Sequence, residues 1–338
     1  MLYQHTYKME NTKYDILGIG NAITDIIIDV DNKILEDLNI TPGSMSLVDI
    51  SFIRNILEKK EIVKTAAGGS VANTISTLAK LGTKCSFVGS RKDDDYGRLF
   101  SRSMEEDGIK LLNYEKKDGV PSSICLVLVS PNGERTMCTY LGASTDFGKD
   151  DIEETLLDDH KVIYLEGYLF DLPKAKDVFF DIIRKSKTKN YKVALSLSDS
   201  FCVDRYRKDF LELININIDL LFCNEQEIET LFETDYQSAI KEAGKKVEST
   251  VVTRGNKGAM LYKNSKLITV AAHKTKVLDT TGAGDSFAAG FLYSYLNGLP
   301  IDVCLKAGTL CASDVIKSFG ARTDTNVKEL FIQNNILE

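Results

Sequence analysis

The chain has 338 residues, 43% of them apolar and 27% charged, with a formal net charge of −7. That length suits one large domain or two ordinary ones with a substantial core. The acidic balance argues against a general nucleic-acid surface, so small anionic ligands have to be caught by local structure. Seven cysteines with no CxxC spacing, beside only three histidines (His5, His160 and His273), read as reduced core residues of a cytoplasmic protein. The opening residues MLYQHTYKMENTKYD are polar, so neither a signal peptide nor a membrane anchor is expected. Residues 1–13 read as a flexible extension, with Met9 as an alternative start.

The first expected element is a buried strand from Tyr14 to Gly20, YDILGIG. Asn21 and Asp25 follow in GNAITD, and strand resumes from Ile26 to Val30. Polar residues at the carboxyl end of a core strand are positioned to grasp ligand hydroxyls, although Gly-Asn equally favours a plain turn. Gly43 to Asp49 and Glu61 to Ala67 read as exposed strands. Gly68, Gly69, Ser70 and Asn73 then introduce a helix with Ala72, Ile75, Leu78, Ala79 and Leu81 on its apolar stripe and Gly82 as its stop. A strand from Lys84 to Gly89 and a helix from Asp95 to Asp107 come next. Two strands, Ser122 to Ser130 and Thr136 to Leu141, flank PNGER, whose Asn132 and Gly133 mark a hairpin. This hairpin interrupts a βα series and is assigned to an accessory sheet or an antiparallel edge.

From Lys161 onward strand and helix alternate regularly, which predicts a parallel sheet covered on both faces. The expected strands are Val162 to Gly167, YKVALSL, IDLLFCN and STVVTRG, with helices over about 173–186 and 203–214. GAMLYKN and SKLITVAA read as an antiparallel pair, and a last helix spans about 301–318. Between them lies LDTTGAGDSFAAGFL, Leu278 to Leu292. Its Gly282, Ala283 and Gly284 can turn amide groups toward one point, where the following helix adds the positive end of its dipole. An anion is the expected occupant. Asp285 in that position is either a helix cap or a general base that takes a proton from an attacking hydroxyl.

The ordered set GNAITD, GGSVAN, NEQE, TRGNKG and DTTGAGDSF resembles the ribokinase-like carbohydrate kinases of the PfkB family, and within them the bacterial adenosine kinase branch. TYLGA, YLEGYL and ALSLSDSFCVDR add to the likeness, which runs from about Asp15 to Arg322. The resemblance implies a ribokinase-like α/β fold over residues 14–322, with a central, mostly parallel sheet and a small β-sheet lid made of segments 26–30, 43–49, 61–67 and 122–141. It implies Asp285 as the base and the amides of Gly282, Ala283 and Gly284 as the anion hole. Asp25, Gly69 and Asn73, with Asn21 nearby, would hold sugar hydroxyls. Asn224 and Glu227 match an NxxE motif that helps hold magnesium on the phosphates, commonly through water, while Thr253, Gly255 and Gly258 belong to the ATP-side loop. For Asn224 a helix cap, and for Gly255 a β-turn, are the structural alternatives. Asp279, with the stretch Ser318 to Gly320, resembles a potassium site.

Arg135 is either a lid arginine that meets phosphate oxygens or a solvated turn residue. Tyr168 or Phe170 either stacks on a purine or packs in the core. The expected reaction uses ATP and Mg2+, with K+ as a further candidate, to phosphorylate the 5′-hydroxyl of a nucleoside, adenosine first. A sugar kinase acting on ribose or fructose is the alternative, and a catalytically silent nucleoside-binding regulator is a third reading. No nucleic-acid or membrane partner is expected, and the chain is read as a monomer or a homodimer.

Overall fold

The computed structural model describes residues 12–131, 134–323 and 325–337. The expected N-terminal extension thus falls almost wholly outside the described residues, as does the Asn132-Gly133 turn. The strands in chain order are β1 Tyr14–Ile19, β2 Ile23–Asp29, β3 Met45–Leu47, β4 Lys64–Gly68, β5 Cys85–Val88, β6 Lys110–Leu111, β7 Ser123–Val129, β8 Arg135–Tyr140 and β9 His160–Glu166. They continue with β10 Lys192–Ser196, β11 Leu220–Asn224, β12 Ser249–Thr253, β13 Ala259–Lys263 and β14 Lys266–Val270.

Nine of them form one sheet in the order β14-β13-β12-β11-β10-β9-β1-β5-β6. From β12 to β6 all neighbours are parallel, and β13 and β14 add an antiparallel edge. The parallel strands are near-continuous apolar runs because helices cover both faces. Side chains alternate between two cores accordingly: Ile163 and Leu165 of β9 join Phe170, Phe179 and Phe210 on one face, while Val162 and Tyr164 join Val71, Ile75, Phe287 and Phe291 on the other. Burying a side chain such as Phe291 completely stabilises the fold by roughly 1.5–3 kcal/mol.

The other five strands form a second sheet in the order β3-β8-β7-β2-β4. It contains all four segments expected to build a lid. Its core of Ile26, Ile28, Leu126 and Leu128 is covered by Leu35 and Ile53. Those two residues sit on helices Asn32–Asp37 and Ile50–Leu57, which the sequence reading did not anticipate. Each helix starts at an aspartate, Asp31 or Asp49, whose side chain accepts an amide three residues on.

Other differences are local. The helix expected over 203–214 is two, Ser200–Arg205 and Arg207–Asn217, interrupted at Tyr206, whose backbone leaves the helical region. The fold also continues past residue 322: helix Val327–Gln333 buries Phe331 against Leu81, Leu310 and Tyr293. Helix Pro173–Ser186 has the expected bounds, set by a proline in its first turn and an apolar face of Val178, Phe179, Ile182 and Ile183. Among the described residues no helix is long and apolar enough to cross a membrane.

Candidate active site

The carboxyl ends of β1, β9, β10, β11 and β12 open into one cleft of about 530 Å³, whose opposite wall carries Ile23, Met45, Leu47, Cys125, Met137 and Leu141, all in or beside the small sheet. Ligands of open α/β sheets sit at that edge because the strand ends leave polar groups free there. Of the residues singled out from sequence, the fold brings Asn21, Asp25, Gly69, Asn73, Tyr168, Asn224, Glu227, Thr253 and the run Gly282 to Asp285 to this cleft. Arg135, Gly255, Gly258 and Asp279 do not line it.

Helix Ala283–Leu296 starts without a side-chain cap. Gly282 introduces it at φ 73°, a left-handed turn, and any Cβ there would lie 2.5 Å from the Ala321 carbonyl oxygen. At Gly284 a Cβ would meet nothing within 4 Å. The protein's own packing therefore does not require glycine at 284, and the bare backbone leaves room for a group lying close over it. The Ala283 amide, expected among the three anion donors, instead donates to the Thr280 carbonyl at 3.2 Å. An uncapped helix start beside bare backbone fits a phosphate group.

Asp285 does not act as the side-chain cap of its helix. Its Oδ1 accepts the Ser70 hydroxyl at 2.6 Å and its Oδ2 accepts the Asn73 side-chain amide at 3.0 Å. Burial raises its pKa to about 6 despite those bonds and the nearby Arg322. Asp25 is raised further, to about 7, by burial and by the charge of Asp285, against the pull of Arg322 and Arg135. Gly69, in a left-handed turn at φ 93°, brings the helix Ser70–Lys80 up to this pair, with no room for a Cβ beside the Asn21 carbonyl.

At the other end, Asn224 and Glu227 form a reciprocal cap on helix Glu225–Phe232. The Asn224 Oδ1 accepts the Glu227 amide at 2.8 Å, and the Glu227 carboxyl accepts the Asn224 backbone amide at 3.0 Å and side-chain amide at 2.6 Å. The cap reading of Asn224 is therefore observed, in residues that also face the cleft. Burial, with a contribution from Asp199, raises Glu227 to about 7. Each of its oxygens keeps a spare lone pair, which suits a bond to metal-held water. Among the described residues no three His, Cys, Asp or Glu side chains gather into a site that would hold a metal unaided.

Thr253 lines the cleft and donates to the Cys223 carbonyl at 3.4 Å. Gly255 is exposed in a turn, and Gly258 is buried against the backbone of Val270 and Ala271. Arg135 opens β8 and is neither solvated nor in the cleft. It pairs with Asp279 at 3.0 Å, lies over the Phe319 ring, and borders a smaller cavity of about 90 Å³ shared with Asp25 and Arg322. The Asp279 carboxylate also accepts from the Thr281 hydroxyl at 2.7 Å and the Gly320 amide at 2.8 Å. Tyr168 lines the cleft; burial raises its pKa, as do the charge of Asp199 and a hydrogen bond with it. Phe170 is a core residue stacked on Phe210 at 4.3 Å.

Three residues of this network were missed: Ser70, read only as part of a helix start, Arg322 and Glu166. Arg322, in the tail FGART, donates to Asn73 Oδ1 at 3.0 Å and so holds the amide that faces Asp285. Glu166, at the end of β9, lines the cleft and is raised to about 7 by burial, against its bonds to Val71 and Asn21. Its signal was a lone acid closing the run VIYL of β9.

A buried carboxylate in the first turn of an uncapped helix, facing a cleft between two sheets, has the build of a small-molecule kinase. Residues 41–328 match the pfkB family carbohydrate kinases, and the chain belongs to that family. A solved probable sugar kinase from Rhizobium etli CFN 42 is 36% identical with a TM-score of 0.90, covering 96% of this chain and all of that one. The solved adenosine kinase from Sinorhizobium meliloti is also 36% identical, with a TM-score of 0.89 over 95% of this chain and 99% of its own. Adenosine kinase 1 of Arabidopsis thaliana is 26% identical over 340 residues, covering 92% of this chain and 97% of the relative. The protein is a nucleoside or sugar kinase with the ribokinase-like fold, and kinases of its family use ATP, typically with Mg2+.

Proposed function

We propose that the chain transfers the γ-phosphoryl group of ATP to the 5′-hydroxyl of a nucleoside, adenosine first, giving the 5′-monophosphate and ADP. The observation that carries this reading is the Asp285 carboxylate, oriented by Ser70 and Asn73 at an uncapped helix start. In-line transfer needs an oriented hydroxyl, a base to take its proton, and positive potential where phosphate charge develops. Asp285 takes the proton. The helix dipole and the amides of Gly282 and Gly284 meet the charge. Asp25, Asn73 and Asn21, with the Gly69 turn, hold the sugar hydroxyls. Asn224 and Glu227 would hold magnesium through water, and the ion would there neutralise phosphate charge.

The nucleoside is favoured over a free sugar by the wall facing the strand ends. Ile23, Met45, Leu47, Met137 and Leu141 make an apolar slot suited to a purine, whereas a free sugar calls for more hydrogen-bonding groups. Tyr168 stands as the aromatic candidate for stacking. The small sheet acts as a lid that excludes water, which otherwise competes for the phosphoryl group. Arg135, released from Asp279, is the lid cation for phosphate, and potassium near Asp279 is an optional activator. Seven free cysteines suit a reducing cytoplasm.

A coupled ADP-release screen with adenosine, guanosine, inosine, ribose and fructose, run with and without potassium, tests the reading. Turnover highest with adenosine is expected; turnover with ribose or fructose alone overturns it.

A further inference from the structure

We propose that Glu166 is a positioning residue that fixes Asn21 as a hydrogen-bond acceptor, so that this part of the cleft demands a hydroxyl from the substrate. Glu166 is 1% exposed, and its two oxygens are held from different parts of the chain. Oε2 accepts the Val71 amide at 2.9 Å, and Oε1 accepts the Asn21 Nδ2 at 2.7 Å. Above about pH 7, the value to which burial raises it, Glu166 is an ionised carboxylate that only accepts, so Asn21 has to turn its NH2 toward it. Its Oδ1 then faces away. That oxygen is buried and finds no partner among the described residues, although Asn21 lines the cleft and is itself 1% exposed. A buried acceptor left unpaired is costly, so the place is built for a donor that comes with the ligand.

The carboxyl has little freedom to move away. A Cβ on Gly20 would stand 2.4 Å from Oε2, which leaves the strand end closed around the acid, and the Asn21 carbonyl is packed over Gly69. Glu166 therefore sets the polarity of Asn21 without itself supplying the group that meets the substrate. The inference rests on a hydroxylated acceptor occupying the cleft, and it holds for a nucleoside and for a free sugar alike.

Glu166→Gln tests it, because the replacement has the same shape and can still offer its oxygen to the Val71 amide. Its NH2 then faces Asn21, which has to flip and present NH2 to the substrate. The expected result is a KM for adenosine raised about 10- to 100-fold, with the KM for ATP and the melting temperature nearly unchanged. Adding Asn21→Asp rescues the acceptor: one introduced oxygen accepts from the introduced amide, and the other accepts from the substrate hydroxyl. Of 2′-deoxyadenosine and 3′-deoxyadenosine, the one lacking the relevant hydroxyl becomes insensitive to Glu166→Gln. An unchanged adenosine KM, an equal rise in the KM for ATP, or no rescue in the double variant would overturn the inference. Run in parallel with ribose, the same pattern on ribose without turnover of adenosine upholds this inference and removes the nucleoside reading.

Discussion

At the proposed acceptor end of the cleft the polar bonds join distant parts of the chain, whereas at the proposed phosphate end the Asn224–Glu227 pair is local. Ser70 and Asn73 reach Asp285 across 215 and 212 residues, and Arg322 reaches Asn73 across 249. Asn224 and Glu227 bond to each other three residues apart. The acceptor end thus exists only once the chain has folded, and its geometry stands or falls as a network. The phosphate end is assembled from helix and strand ends that are stabilised one at a time. Substitutions at the first end should act together on one substrate, and those at the second should act singly on the other.

The largest effect belongs to Asp285→Asn. Removing the base while keeping the shape lowers kcat by about 100- to 10,000-fold, with adenosine binding held within a few fold in calorimetry; an unimpaired turnover number removes Asp285 from the mechanism. Next comes Gly284→Ala. Its Cβ meets open space, so thermal melting stays unchanged, but it crowds an anion lying on the backbone and lowers kcat/KM by about 10- to 100-fold. Equal activity would move the phosphate elsewhere.

The pH profile sharpens the same contrast. Because burial raises Asp285 to about 6, the protonated, inactive form persists to higher pH than for an ordinary aspartate. The rate under saturating substrates should therefore fall roughly tenfold per pH unit below about 6, and a profile flat down to pH 4.5 would contradict the assignment. Smallest is Asn224→Ala, which removes the cap on helix Glu225–Phe232 and costs about 1 kcal/mol of stability in denaturant titrations. It should weaken ATP several-fold and leave the acceptor KM alone.

What could be read in advance follows the same division. Helix Pro173–Ser186 was legible to the residue because its proline, its apolar spacing and its basic last turn all lie within it. The hairpin β13 and β14, the apolar strands and the run Gly282 to Asp285 were legible for the same reason. Glu166 and Arg322 were not, since nothing within β9 or the tail FGART says that Asn21, Val71 and Asn73 lie opposite. Arg135 shows the limit from the other side. Its chemistry suits phosphate, but the partner it has is Asp279, 144 residues away in sequence, and only the fold reveals that pair. The short helices over the small sheet left a weaker trace, the capping aspartates Asp31 and Asp49.

The division of the cleft into two ends is tested most directly by crossed calorimetric titrations of Asp25→Ala and Glu227→Ala, each with adenosine and with Mg-ATP. Asp25→Ala should weaken adenosine about 100-fold or more and leave ATP nearly untouched, because it removes the carboxylate proposed to hold the acceptor hydroxyls. Glu227→Ala should do the reverse, weakening Mg-ATP and sparing adenosine. Equal losses of both ligands in either variant would contradict a cleft with separate acceptor and phosphate ends.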